Sequence, residues 1–289
     1  MNVPGYRVAL CLFAVCVLQP SEFNILTVMR PSARWRLMVI PPRCGAENMA
    51  RDWALMDRAR ETGEHIFTVY SWERPTLSFG RNQTAKDRYD PAELERRGID
   101  VVRRPTGGRA LLHWREVTYS VAAPVASHEM LTESYEAINR ILIEGLRILG
   151  VEASEASGGP RAPAPGDMPC FATPAEGELV VNGAKLVGSA QVRENGALLQ
   201  HGSILVHDDQ SIIGSLLAHP ARELEPPPAA TLSAILGREP SVSEVADALF
   251  AGVAALEDPD ATPLDEAETD LVKAGHLERF SNPLWTWRR

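Results

Sequence analysis

The chain has 289 residues, of which 45% are hydrophobic and 23% are charged, and its formal net charge is −9. These values are typical of a globular protein with one large domain or two modest ones. An acidic chain is a poor candidate for a nucleic-acid binder, and an acidic partner would need a local basic patch. The four cysteines and seven histidines lack metal-like spacing, so we expect neither a disulfide scaffold nor a metal site.

The N-terminus carries an apolar run over residues 8–18, directly after Arg7. This run resembles the hydrophobic part of a secretory signal, but it is too short to span a membrane and no small-residue cleavage site follows. We therefore expect residues 1–34 to be a poorly structured extension, better explained by a start codon placed too far upstream. Met29 and Met38 are candidate starts, and the expected location is the cytoplasm.

Helix and strand patterns alternate from Trp35 onward. Met49, Trp53 and Met56 repeat at helical spacing and give the first helix one apolar face. Gly98 and Gly150 follow two further helix patterns, as is common at helix C-termini. The patterns predict helices over 46–60, 91–97 and 134–149, and strands over 66–72, 77–79, 99–103 and 117–121.

The middle of the chain combines a loop with an antiparallel meander. Ala, Gly, Pro and Ser dominate residues 152–169, which predicts a mobile loop, either a lid or an inert insertion. Asn182-Gly183 and Asn195-Gly196 are signals for type I′ turns between strands. The expected strands cover 178–181, 185–193 and 198–206.

The C-terminal part is expected to be helical after a linker over 223–230 that is rich in Ala and Pro. Ser241 and Glu244 form a capping-box pattern for a helix ending at Leu256. Pro263 is expected to begin a further helix. Together, these elements predict an α+β fold with a mixed, largely antiparallel sheet flanked by helices.

The most informative residues for function are Cys170 and Lys185, which lie fifteen positions apart. A thiol is a good nucleophile near neutral pH only when its thiolate is stabilised, and a nearby ammonium group does this. The pair therefore favours covalent acyl transfer through a thioester on Cys170. The alternative is that Cys170 is a small buried hydrophobic residue, the more common role of a lone cysteine.

Two further motifs are ambiguous by themselves. The loop from Arg103 to Ala110 contains Gly107-Gly108, which would let a ligand approach the backbone, and its arginines suit a phosphate or carboxylate. Such a loop is more often only a turn, and it matches neither of the common nucleotide-binding patterns. His201-Gly202 in the last meander strand fits a core histidine as well as a site residue.

Taken together, the motifs resemble the lipoate- and biotin-protein ligase superfamily, and most closely its cysteine-dependent octanoyltransferase branch (LipM type). The resemblance covers residues 35–289 in order and leaves residues 1–34 outside. It rests on RRPTGGRALLH at 103–113, EVTYS at 116–120, CF at 170–171, EL at 178–179, KLVGSAQVR at 185–193 and QHGSIL at 200–205.

The resemblance implies a catalytic domain of that superfamily's fold over 35–225 and a small helical C-terminal part of the same domain over 226–289. It implies transfer of an octanoyl group from octanoyl-acyl carrier protein to a lysine of a lipoyl domain through a thioester on Cys170. The lipoyl domain would belong to the glycine cleavage H protein or to a 2-oxoacid dehydrogenase E2 subunit. No cofactor, metal, nucleic acid or membrane partner is implied.

The resemblance also implies roles for particular residues. Cys170 and Lys185 are the catalytic residues, and Lys185 stabilises the thiolate and later assists the incoming amine. The implied substrate-binding residues line the acyl tunnel and the thioester, with the roles of the two histidines least defined. They are Arg104, Thr106, Gly107, Gly108, Arg109, Ala110, His113, Gly188, Ser189, Ala190, Gln191, His201 and Gly202.

Departures from the branch pattern concern partner recognition more than chemistry. Trp114 stands where an aspartate is usual, Arg51 and Trp53 change the first helix, and the loop over 152–169 is unusually rich in Pro and Gly.

Three alternative functions stay open. One is an ATP-dependent lipoate-protein ligase, which usually has a third glycine in place of Arg109 and lacks the cysteine. The others are an octanoyl amidotransferase acting between lipoyl domains and a non-catalytic lipoyl-domain binder.

Overall fold

A computed structural model describes residues 33–126, 130–157, 170–171, 174–219, 228–269 and 274–289. The strands are β1 (Trp35–Arg43), β2 (His65–Trp72), β3 (Thr76–Phe79), β4 (Asp100–Arg103), β5 (Leu111–His113), β6 (Glu116–Pro124), β7 (Ser154–Glu155), β8 (Leu179–Val181), β9 (Ala184–Glu194), β10 (Ala197–Leu205) and β11 (Thr262–Pro263). The helices are α1 (Gly45–Thr62), α2 (Pro91–Arg96), α3 (Leu131–Ile148), α4 (Leu232–Leu236), α5 (Val242–Leu256), α6 (Ala274–Ser281) and α7 (Pro283–Thr286). Two short 3-10 helices span Gln210–Leu216 and Glu266–Glu268.

The strands form two sheets. The large sheet has the order β11-β1-β2-β6-β10-β9-β8-β7, and the small sheet has the order β4-β3-β5. In the large sheet, β1 pairs in parallel with β2 and β11, whereas the other neighbours are antiparallel. The prediction of an α+β fold with a mixed, largely antiparallel sheet is confirmed.

The predicted meander forms the part of the large sheet that carries the sequence motifs at 185–193 and 200–205. Asn182 and Asn195 have φ angles of 52° and 53°, and the glycines that follow them also have positive φ, as type I′ turns require. In the resulting register, His201 of β10 lies opposite Ala190 of β9, and Gly202 lies opposite Ser189. The turns therefore set two separate sequence motifs side by side.

Helices cover both faces of the large sheet. Apolar residues of α3 and α5, including Ile138, Leu142 and Leu249, pack in one cluster with Phe67 and Tyr119 of the strands. On the other side, the apolar face of α1 joins a second cluster that includes residues of β2, β10 and α6. Since α1 lies against β6 and β10, it can place a side chain beside the centre of the sheet.

Two predictions in the C-terminal part are wrong. Pro263 does not begin a helix but lies in β11, an edge strand where its missing N–H group costs little, and its carbonyl oxygen accepts from Arg36 at 2.9 Å. The capping box is only half formed. Ser241 accepts from the backbone N–H of Glu244 at 3.2 Å, but the Glu244 carboxylate turns to Arg238 instead.

The predicted loop and linker are only partly described. Within residues 152–157, Ser154–Glu155 forms a short strand against β8, and residues 158–169 lie outside the described residues. Residues 223–227 of the predicted linker lie outside them as well. Among the helices that are described, none has the length and apolarity to cross a membrane.

Trp35, the first residue of β1, is part of the protein core. Trp35 is 3% exposed, and its backbone N–H donates to Asp258 Oδ2 at 2.9 Å. A start at Met38, a candidate from the sequence, would remove Trp35, Arg36 and Leu37, which are three of the seven β1 residues paired with β2. A start at Met38 would therefore cost core packing and strand pairing, whereas a start at Met29 leaves β1 complete; both starts stay predictions.

We expect a protein that begins at Met29 to unfold in urea at the same midpoint as the full chain. A protein that begins at Met38 should lose at least about 3 kcal/mol in its free energy of unfolding, the scale of deleting one buried tryptophan side chain. Urea titration followed by circular dichroism measures both. Equal stability of the two shortened proteins would contradict the packing of Trp35.

Candidate active site

A cavity of about 390 Å³ lies between the β9–β10 pair and the loop that follows β4. Its size is within the range of small-molecule sites, about 300–1,000 Å³. In the described part of the chain, no group of three or more His, Cys, Asp or Glu side chains is placed to hold a metal. The predicted residues that line the cavity are Arg104, Gly107, Gly108, Arg109, His113, Cys170, Gly188, Ser189, Ala190, Gln191, His201 and Gly202.

The remaining predicted residues lie directly behind the cavity wall and contact residues that line it. Lys185 at the start of β9 is 2% exposed, and its Nζ is 3.5 Å from Cys170 Sγ. Thr106 and Ala110 are each 1% exposed. The Ala110 carbonyl oxygen accepts from the backbone N–H of Cys170 at 3.0 Å. The structure thus brings all the predicted site residues to one place.

Cys170 is held by its backbone and by its neighbour. Phe171 is 3% exposed and packs with Leu111 and Leu205, which anchors the short segment beside β5. Lys185 Nζ donates to the Cys170 carbonyl oxygen at 2.9 Å and lies 4.8 Å from the centre of the Phe171 ring. The thiol itself stays partly exposed on the cavity wall. The site therefore holds Cys170 in place without covering it.

Glu178 is the main site residue that was not predicted. Its Oε1 lies 2.6 Å from Lys185 Nζ, while its Oε2 accepts from the backbone N–H of Ala175 at 2.7 Å. Glu178 comes just before β8 and also lines the cavity. Its sequence signal is the Glu-Leu pair downstream of the cysteine, which by itself indicates no role.

Arg104 does not have free donors for a ligand, contrary to the expectation that loop arginines suit an anion. Its guanidinium group is 5% exposed and donates to backbone oxygens of Ser78, Gly107 and Arg109 at 2.7–3.1 Å. It also donates to Ser78 Oγ at 2.9 Å. Arg104 therefore holds the glycine loop in shape, whereas Arg109 reaches the Cys170 carbonyl oxygen at 3.5 Å.

A second buried network supports the same loop. His201 Nε2 is 2.6 Å from Thr106 Oγ1, and its Nδ1 is 2.7 Å from Asp52 Oδ2. Tyr70 donates to the same carboxylate oxygen at 2.9 Å. Asp52 was not predicted, although its position among the apolar residues of α1 was a visible signal, because a charged residue on a buried helix face needs a partner. This hydrogen-bond network joins α1, β10 and the loop that follows β4.

His113 has a buried position beside the cavity. Its ring stacks on Trp72 at 4.0 Å between ring centres, and its Nε2 is 2.9 Å from Ser78 Oγ. Burial lowers the pKa of His113, because the charged ring would lose its hydration. The neighbouring Trp114 is 45% exposed and lies under the Arg115 guanidinium group, so the departure at this position faces outward.

Close strand packing shapes the cavity floor. A Cβ atom on Gly202 would come within 2.6 Å of the Tyr119 ring and 2.7 Å of the Gly188 carbonyl oxygen, so no larger residue fits. Tyr119 and Ser189 share a hydrogen bond of 2.6 Å between their hydroxyl groups, and burial raises the pKa of Tyr119 to about 12. The glycine and the tyrosine thus fix Ser189 at the cavity surface.

Comparison with known proteins agrees with the geometry. The model of the lipoyl protein ligase A/B catalytic domain matches residues 44–254. The octanoyltransferase LipM of Kyrpidia tusciae is 42% identical over 236 residues, which cover 76% of this chain and 86% of the relative. The octanoyltransferase LipM of Brevibacillus brevis is 35% identical over 275 residues, which cover 89% and 99%.

Solved structures share the fold. A lipoate-protein ligase A bound with ATP has a TM-score of 0.72 at 22% identity, and the match covers 88% of this chain and 98% of that one. A bi-partite lipoate protein ligase of Thermoplasma acidophilum has a TM-score of 0.71 at 21% identity, covering 88% and 96%. At such identities the likeness concerns the fold only. The family model and the sequence relatives together show that the chain belongs to the lipoyl protein ligase A/B catalytic-domain family, in the same branch as the LipM enzymes, and is an acyltransferase.

Proposed function

We propose that this acyltransferase moves an octanoyl group from octanoyl-acyl carrier protein to a lysine of a lipoyl domain, through a thioester on Cys170. The observation that carries the proposal is the Lys185 ammonium group, 3.5 Å from Cys170 Sγ at the wall of the cavity. A cation at this distance stabilises a thiolate and makes it available for attack on an acyl group. We infer that the transferred group is octanoyl from the LipM relatives, which are named octanoyltransferases.

In the first step, the Cys170 thiolate attacks the thioester carbonyl of the donor. A bond forms between Sγ and the carbonyl carbon, the donor's carbon–sulfur bond breaks, and the donor thiolate leaves and takes up a proton. Hydrogen-bond donors of the protein near the cavity, including Arg109, stabilise the oxyanion of the tetrahedral intermediate. The product is octanoyl-Cys170.

In the second step, the neutral amine of the lipoyl-domain lysine attacks octanoyl-Cys170. A carbon–nitrogen bond forms, the bond to Sγ breaks, and the nitrogen loses a proton to solvent. The Cys170 thiolate returns to its place beside Lys185, whose positive charge makes the thiolate a better leaving group. Neither step changes the oxidation state of any atom.

A thioester donor supports transfer without ATP. Transfer from one thioester to another is close to balanced in free energy, whereas a free acid must first be activated, as ligases do with ATP. Arg109 occupies the position where ligases usually have a third glycine, and its side chain lines the cavity and extends to the Cys170 carbonyl oxygen. An adenylate would compete with this side chain for the same space.

Replacing the nucleophile tests the covalent route. Cys170→Ala should abolish both the octanoyl-enzyme and the modification of a lipoyl domain, because no other thiol lies at the cavity among the described residues. Cys170→Ser should lose nearly all transfer, since a hydroxyl group stays protonated near neutral pH. The assay mixes enzyme, octanoyl-acyl carrier protein and lipoyl domain without ATP and reads intact masses. Transfer by Cys170→Ala at the unmodified rate would refute the mechanism.

The same assay separates transferase from ligase. We expect modification of the lipoyl domain from the carrier protein in the absence of ATP and Mg²⁺, and little or none from free lipoate with ATP. A gel shift of the lipoyl domain measures both reactions side by side. Efficient lipoylation with ATP, together with no transfer from the carrier protein, would make the ligase the better assignment.

The electrostatic role of Lys185 gives a third test. Lys185→Ala should slow iodoacetamide alkylation of Cys170 near neutral pH by at least about tenfold, which corresponds to about 1.4 kcal/mol of lost thiolate stabilisation. Lys185→Arg keeps a positive charge and should restore much of the alkylation rate. Equal alkylation rates in the unmodified protein and Lys185→Ala would contradict the role.

A further inference from the structure

We infer that Glu178 is a positioning residue that keeps Lys185 protonated while Cys170 carries the acyl group, and so prevents the enzyme from acylating its own lysine. This inference rests on the proposed octanoyl-Cys170 intermediate. It follows from the three contacts of the Lys185 ammonium group, from the burial of that group, and from the chemistry of an amine beside a thioester.

The Lys185 ammonium group has three N–H donors and three acceptors at hand. Its Nζ lies 2.9 Å from the Cys170 carbonyl oxygen, 3.5 Å from Cys170 Sγ and 2.6 Å from Glu178 Oε1. The side chain is 1% exposed, so water does not replace any of these partners. Two of the three partners can carry negative charge, and they are the thiolate and the carboxylate.

Acylation removes one of those two charges. Once Sγ is bonded to the octanoyl carbonyl carbon, the sulfur is neutral and no longer balances the ammonium group. Burial of a cation without a counterion favours its neutral form. Of the residues that the structure describes, Glu178 is then the anion that remains in contact with Lys185, and its charge favours the ammonium form throughout the life of the acyl-enzyme.

A neutral Lys185 would be able to attack the thioester on Cys170. Reacting atoms about 3–3.5 Å apart are close to an attack geometry, and the thioester carbon is bonded directly to the sulfur that Nζ already contacts. Attack would form an amide bond at Nζ, break the bond to Sγ and release the nitrogen's proton, leaving a free Cys170 thiol. The product is octanoyl-Lys185, a stable amide that ends turnover. Protonation removes the lone pair that this reaction needs.

The setting of Glu178 suits a fixed counterion. Its second oxygen accepts from the backbone N–H of Ala175 at 2.7 Å, so the carboxylate cannot rotate away from Lys185. The two residues lie on opposite sides of the turn between β8 and β9, which keeps their distance short through local chain geometry. Glu178 also lines the cavity, in which the octanoyl group of the proposed intermediate would lie.

The test uses the full chain with Glu178→Gln, which keeps the size and a hydrogen-bond acceptor but removes the charge. The enzyme is incubated with octanoyl-acyl carrier protein and then treated with hydroxylamine, which cleaves a thioester but not an amide. We expect hydroxylamine-resistant octanoyl-enzyme to rise at least about tenfold over the unmodified protein, corresponding to about 1.4 kcal/mol against the ammonium form. Peptide mass spectrometry should locate the group on Lys185, and transfer should decline with each round of turnover.

Controls separate this role from a general effect on folding. Glu176→Gln is a matched substitution at an exposed position two residues away and should behave as the unmodified protein. Glu178→Asp restores the charge and should return resistant octanoyl-enzyme toward the unmodified level. Glu178→Gln combined with Lys185→Arg should form none, because a guanidinium group is not a nucleophile near neutral pH.

The outcomes are distinct from those that test the proposed function. If Glu178→Gln forms only hydroxylamine-sensitive octanoyl-Cys170 and turns over without decline, the protective role of Glu178 is refuted and the covalent route stands. If the unmodified enzyme forms no octanoyl-Cys170 at all, the proposed function fails first.

Discussion

A buried ammonium group next to a thiol is the interaction on which the rest of the site depends. Lys185 is almost fully buried, and a charge in that position is tolerated only when its hydrogen-bond donors are satisfied and its charge is balanced. Cys170 and Glu178 meet both needs from two chain segments that precede β9. The tight Asn182-Gly183 turn brings the carboxylate to the lysine, and Phe171 brings the thiol. The reactive centre is therefore also the electrostatic solution to a buried charge.

The cavity beside Cys170 is shaped by buried side chains that form their hydrogen bonds with other groups of the protein. Arg104 ties the glycine loop to β3, and the network from Asp52 through His201 to Thr106 ties the loop to α1 and β10. Polar groups that are fully engaged in this way make a site rigid before any ligand arrives. The same fold occurs in a lipoate-protein ligase A bound with ATP, so the fold by itself does not decide the reaction. In the proposed function, Cys170 and Arg109 are the side chains that favour transfer over ligation.

The sequence predicted most elements and failed where long-range contacts decide. The strands beside the Asn-Gly turns followed from local backbone preference, and helix α3 followed from apolar periodicity. Pro263 was misassigned because its place in β11 depends on pairing with β1, which is distant in sequence. The same limit applies to the site. Motif resemblance found Lys185 and His201, but their carboxylate partners, Glu178 and Asp52 respectively, became evident only through contacts across the fold.

The central claim is that octanoyl-Cys170 is an intermediate and not a side product. The most direct measurement isolates the octanoyl-enzyme free of donor, mixes it rapidly with excess lipoyl domain without ATP, and follows both intact masses over time. The account predicts that the octanoyl group leaves Cys170 and reaches the lipoyl-domain lysine at least as fast as overall turnover. An octanoyl-enzyme that transfers more slowly than turnover, or that only hydrolyses, would contradict it.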